Sequence, residues 1–234
     1  MTIKMIKLLA LFMIFLCCAT SCTPKLRIKL NAQDEVFVDM DVTHTDSTKR
    51  LIKSLVGFSG DSMFEGKETN IENVKGEDGF EIIKLKKSAT LDVSAKLKFA
   101  DSTKLESSLL FVNKSEKKLL FSLNRKTLAS LFEHMTPEDK EYLDLLMAPS
   151  LQNTKMSEDE YIALISNAYG NKASQELKQS SLTLFFELPK KIKNVHITPK
   201  SEHKFNADKL EVYIPMTTVL VLEQDINIVV DYSN

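Results

Sequence analysis

The chain has 234 residues, 43% hydrophobic and 27% charged, with a formal net charge of −1. These values describe a globular domain and exclude a multi-span membrane protein, a disordered tail and a disulfide-dense scaffold. Near-neutrality also leaves no strongly basic surface of the kind that marks nucleic-acid binding, so no nucleic-acid partner is expected.

Residues 1–21 differ from the rest. Lys4 and Lys7 are the only charges before Cys22, and every residue from Leu8 to Ala19 is apolar. Twelve apolar residues fall short of the roughly 20 that a membrane-crossing helix needs. A basic start, a short apolar run and the small residues Ala19-Thr20-Ser21 together predict a secretory leader that is removed. All three cysteines (Cys17, Cys18, Cys22) lie within the first 22 residues. The remaining 22–234 is expected to fold as one domain held by its core, without disulfides.

Lys25 to Leu30 alternates strictly, with Lys25, Arg27 and Lys29 on one face and Leu26, Ile28 and Leu30 on the other. That period of two predicts a strand with one buried face. Val36–Thr43 is β-rich, so 25–43 is expected to be a hairpin turning at Asn31–Glu35. A short helix is predicted near Leu51–Val56, starting at Asp46, Ser47 or Thr48. Five of the six glycines fall between 57 and 79, the loosest stretch of the chain. Strands are then predicted at Phe80–Leu85, Leu91–Phe99, Leu105–Val112 and Leu119–Leu123.

From about 125 to 178 the period lengthens. Leu128, Leu131, Phe132 and Met135 share one helical face, Thr136-Pro137-Glu138-Asp139 starts a second helix, and Ser157-Glu158-Asp159-Glu160 is a capping box. Two or three helices are therefore predicted, inserted between β segments. Leu182, Leu184, Phe186 and Leu188 return to strand alternation. Val195–Ile197, Leu210–Ile214, Thr217–Leu222 and Ile226–Tyr232 follow as strands. The predicted class is α+β: an antiparallel β-rich sheet, open-barrel or sandwich-like, carrying a helical insertion.

Catalytic constellations are sparse. Asp39-Met40-Asp41-Val42-Thr43 after a strand resembles the nucleophile motif of haloacid-dehalogenase phosphatases, and Gly60-Asp61 with Glu65 imitates their later acidic motif. The spacing and the missing β/α alternation argue against that class; the expected role of Asp39, Asp41 and Thr43 is the outward face of a strand. His44, His134, His196 and His203 lack metal-ligand spacing, although His196 and His203 flank a turn. No catalytic, metal or cofactor site is assigned. Phe132, Met135, Leu146, Met147, Tyr161 and Tyr169 are candidates to line an apolar cleft, with a buried core as the other account of the same stripes. Phe185-Phe186 places aromatics on both faces of one strand.

Ala19-Thr20-Ser21-Cys22 resembles the lipobox of bacterial lipoproteins, with Ala19 where most carry a larger aliphatic residue. That resemblance implies lipidation of Cys22, including palmitate, and a place in the cell envelope. The open alternatives are plain secretion and an uncleaved anchor. The layout of lipobox, immediate hairpin, polar strand pairs and C-terminal β run resembles the membrane-anchored LppM-type lipoprotein domain. The stretch Leu146-Met147-Ala148-Pro149-Ser150-Leu151 through Glu160-Tyr161 to Tyr169-Gly170 is similar to uncharacterised spirochaete lipoproteins. The resemblance implies amphiphile handling at the envelope. Expected first is a non-enzymatic, membrane-anchored protein whose partners are membrane lipid and an amphiphile or envelope protein. An amphiphile carrier with an apolar pocket and a hydrolase are the alternatives.

Overall fold

A strand that is charged on one side and apolar on the other must bury its second side. In the computed structural model, which describes residues 24–43, 69–75, 80–87, 92–101, 109–128 and 154–233, the first strand β1 (Lys25–Leu30) does this. Leu26, Ile28 and Leu30 are 1–3% exposed, each burial contributing about 1.5–3 kcal/mol. β2 (Val36–Val42) pairs antiparallel with β1. Between them the Asn31 side-chain oxygen accepts from the backbone N–H groups of Gln33 (3.0 Å) and Glu35 (2.9 Å), an Asx-type turn.

The other strands are β3 (Thr69–Lys75), β4 (Phe80–Lys87), β5 (Val93–Phe99), β6 (Leu110–Asn113) and β7 (Lys118–Leu123), then β8 (Ser181–Glu187), β9 (Ile192–Thr198), β10 (Glu202–Asn206), β11 (Lys209–Pro215) and β12 (Ile226–Tyr232). Eight strands form one sheet in the order β10-β11-β8-β1-β2-β5-β4-β3, and four form a second in the order β6-β7-β12-β9. The sheets face each other across one continuous core. Phe121 of β7 meets Phe186 of β8 edge-on, with centroids 6.3 Å apart.

The α+β class is as expected, and the arrangement is two sheets with no closed barrel. The sheet is not wholly antiparallel, because β1 and β8 pair in parallel. β1 enters between β8 and β2, so the N-terminal strand occupies the middle of the large sheet.

The helices are α1 (Glu158–Tyr169), α2 (Asn171–Gln179) and α3 (Met216–Val221), and residues 125–128 open another. α1 starts at the expected capping box: the Ser157 N–H donates to Glu160 Oε2 (2.7 Å), and the Glu160 N–H donates to Ser157 Oγ (3.3 Å). Gly170, at φ +86°, separates α1 from α2, a backbone angle at which other residues are strained.

The expected strand at Thr217–Leu222 is instead α3. Its six residues are all buried, and a short apolar run enclosed on every side has no periodicity from which to distinguish helix from strand. Two strands were not anticipated. β3 sets Ile71 and Val74 opposite buried Leu85 and Ile82, but Asn73, at φ +54°, breaks the period of two between them, and β10 is exposed along its whole length. The short helix predicted near 51–56 and the helical segment 131–147 lie outside the described residues.

Candidate functional site

The register places three lines of outward side chains across the large sheet. One begins with Lys25 on β1, facing Asp41 on β2 and Thr183 on β8. The next joins Lys204, Glu211, Phe185, Arg27, Asp39, Lys96, Lys84 and Glu72. The third contains Glu187, Lys29, Phe37 and Lys98.

Acids and bases are interspersed along these lines, apart from the neighbours Lys96 and Lys84, and several of them pair. Lys29 Nζ lies 2.6 Å from Glu187, Lys98 Nζ 2.6 Å from Glu35, and Lys96 Nζ 3.7 Å from Asp39. The Arg27 guanidinium sits 5.5 Å from the centre of the Phe185 ring, and Lys98 sits 5.5 Å from that of Phe37. Cations over ring faces are attracted by the ring quadrupole and shield its apolar surface. Phe185, the outward member of the Phe185-Phe186 pair, is thereby covered. Hydrogen bonds from Lys98 and Asn31 hold the Glu35 carboxyl below its ordinary value.

Asp39, Asp41 and Thr43 therefore belong to this charged outer face. One oxygen of Asp39 is buried without a hydrogen-bond partner and faces Lys96. Asp61 and Glu65 lie outside the described residues, as do His44 and His134. His196 Nε2 is 3.3 Å from the Thr198 hydroxyl. His203 Nδ1 is 3.1 Å from the Ser201 carbonyl, and its ring stacks on Phe205 at 6.5 Å. Among the described residues, no group of three or more His, Cys, Asp or Glu side chains is placed to hold a metal ion.

One end of the sandwich gathers the most elements. β1 begins there, β8 begins there and β11 ends there, since Lys25 pairs with Thr183 and Pro215 with Ser181. The Thr183 N–H donates to the Pro24 carbonyl (2.9 Å), so the chain is already fixed one residue before β1. α3 follows β11 directly and leads to β12, crossing from the large sheet to the small one at this end. α1 and α2 pack on each other and on α3.

A buried apolar helix still has unpaired groups at its ends. The Glu158 carboxylate accepts from the hydroxyls of Thr217 and Thr218, the latter at 2.9 Å. Arg125 donates to the carbonyls of Leu222 (3.2 Å) and Val221 (3.5 Å). An acid beside the first turn and a cation beside the last complement the helix dipole. Neither Glu158 nor Arg125 was singled out from sequence beyond its place in a predicted helix. The adjacent hydroxyls of Thr217-Thr218 were the one available signal, and they are uninformative until the acid is opposite them.

A groove of about 340 Å³ lies between α1 and α2, lined by Asp159, Ile162, Ala163, Ser166, Asn171, Ser174, Gln175 and Lys178. Six of these eight residues are polar, whereas sites for apolar ligands are walled mainly by apolar and aromatic side chains. Of the residues considered for an apolar cleft, Tyr161 is instead a core residue at 1% exposure, and its burial pushes the phenol well above its ordinary value. Tyr169 is half-buried against the same core; Phe132, Met135, Leu146 and Met147 lie outside the described residues.

Compared with known proteins, the chain matches no family model and no curated protein.

Proposed function

We propose that this is a lipid-anchored envelope protein, acylated at Cys22 and without enzymatic activity, that binds a ligand or protein partner close to a bacterial membrane. The observation that carries the reading is the junction between leader and body. The last cysteine ends a basic-apolar-small leader, and Pro24, two residues later, is buried and hydrogen-bonded to β8.

Cleavage before Cys22 would leave Thr23 as the one residue between the acylated cysteine and Pro24. Several acyl chains on one cysteine anchor a protein stably, because each buried methylene contributes about 0.8 kcal/mol. With so short a stalk, the body stays near the headgroups, which favours partners that are themselves in or on the membrane.

The test is mass spectrometry of the N-terminal peptide from protein extracted from its native membrane. The expected species begins at Cys22 and carries a diacylglyceryl group and fatty acid. Cys22→Ala is expected to lose membrane association while keeping its fold by circular dichroism. A wild-type peptide with an unmodified Cys22 would overturn the reading.

A further inference from the structure

We infer that the end of the sandwich at which β1 begins, covered by α1 and α2, faces the phospholipid surface, with the strands standing away from the bilayer and the hairpin turns 31–35 and 114–117 at the far end. The inference rests on acylation of Cys22 and adds which surface the lipid headgroups meet.

Three observations lead to it. Cys22 and Thr23 are the whole span between the acyl chains and the fixed Pro24, a reach of at most about 7 Å at ~3.5 Å per residue. From Pro24, β1 runs six residues to its far turn, about 20 Å at ~3.3 Å per residue. The turn 114–117 belongs to that far end too, because Lys114 Nζ lies 3.3 Å from Asp34 and 3.1 Å from Asp101.

The second observation concerns the competing orientation, in which the molecule lies on the outer face of its large sheet. That face sets Asp39, Asp41, Glu187 and Glu211 among its cations, and Lys29, Lys96 and Lys98 already have carboxylate partners. Those three lysines are held by the face's own carboxylates and loop acids, which leaves fewer free cations to hold the sheet flat against lipid.

The third is apolar exposure. Among the described residues, the large apolar side chains exposed to solvent are Val74, Phe111, Leu164 and Phe205, and none lies on the three outward lines of that face. Leu164 belongs to α1, whose first turn is bound to α3 through Glu158. α1, at the end where β1 begins, therefore presents one large exposed apolar side chain, whereas none of the four lies on the outward lines of the flat face.

The absence of cysteine after Cys22 makes the test direct. Gln224→Cys, Lys96→Cys and Gln33→Cys mark the tethered end, the outer face and the far turn, all at exposed positions. Each variant, expressed as the full chain so that it is processed in the cell, is labelled with a thiol-reactive fluorophore. It is then reconstituted into phosphatidylethanolamine–phosphatidylglycerol vesicles containing headgroup-nitroxide lipid. Acylation blocks the Cys22 thiol, so label reports only the introduced site.

The expected result is quenching several-fold stronger at 224 than at 96 or 33. Equal quenching at 224, 96 and 33, or the strongest quenching at 96, in protein that floats with the vesicles overturns the orientation and leaves the anchoring reading intact. Wild-type protein that takes up label at Cys22 and stays in the supernatant overturns both.

Discussion

The two ends of the sandwich are closed by different physics. At the end where β1 begins, α3 is buried on all sides, and charged groups from the helical layer meet its termini. At the far end, Lys114 joins three loops through ion pairs with Asp34 and Asp101, at side-chain exposures of 34–49%. Buried apolar contact and hydrogen bonds shielded from water are worth several kcal/mol, whereas exposed ion pairs are screened and worth about 0–1 kcal/mol each. Stability is thus concentrated at the end where β1 begins, and the far turns are held by weaker, exposed interactions.

The largest effect that contrast predicts is at α3. Leu220→Ala is expected to destabilise by about 2–5 kcal/mol through lost transfer energy and the cavity left behind, read from the denaturation midpoint. A loss under about 1 kcal/mol would show that α3 is not the packed centre of this end.

Next is Glu158→Ala, which leaves the Thr217 and Thr218 hydroxyls without their acceptor. About 1–3 kcal/mol is expected, with faster hydrogen exchange in α1 than in β1. Glu158→Gln should recover part of it. Uniform exchange across both elements would break the assignment of Glu158 as the link between layers.

Ser157→Ala removes the capping box that starts α1 and is expected to cost about 1 kcal/mol. At the far end, Lys114→Ala is expected to cost under about 1 kcal/mol, an effect that fades as salt rises. A salt-independent loss matching that of Leu220→Ala would abolish the distinction between the ends.

The smallest effect is a pH dependence. Glu35 and Glu160 titrate below the ordinary carboxylate value of 4.5, so each binds its proton less readily folded than unfolded. Their stabilisation is complete above pH 4.5 and is lost as pH falls through the folded-state value. Glu35→Gln should flatten the acid limb of a stability–pH curve measured between pH 5 and 3. An unchanged limb would assign the acid sensitivity to other carboxylates.

Legibility from sequence followed burial asymmetry. β1, β2, β8 and β12 each keep one face in the core and one outside, and alternation showed all four. The Ser157 capping box was readable because its two hydrogen bonds close within four residues. α3 was misread as a strand because complete burial removes the pattern that separates the two periods. β10 was missed for the opposite reason, having no buried side chain at all. The leader and lipobox expected at residues 1–22 lie outside the described residues. Of the candidate site, the Glu158–Thr217–Thr218 contact, spanning about sixty residues, was not legible.

Local periodicity and the α+β class were properties of the sequence alone, since each depends on residues a few positions apart. The insertion of β1 between β2 and β8, with β8 parallel to it, was decided only by tertiary structure. So were the conversion of 216–221 into a clamped helix and the gathering of Pro24, α1 and α2 at one end. Each of these depends on partners distant in the chain, and desolvation selects among such arrangements only once the two sheets have closed on a common core.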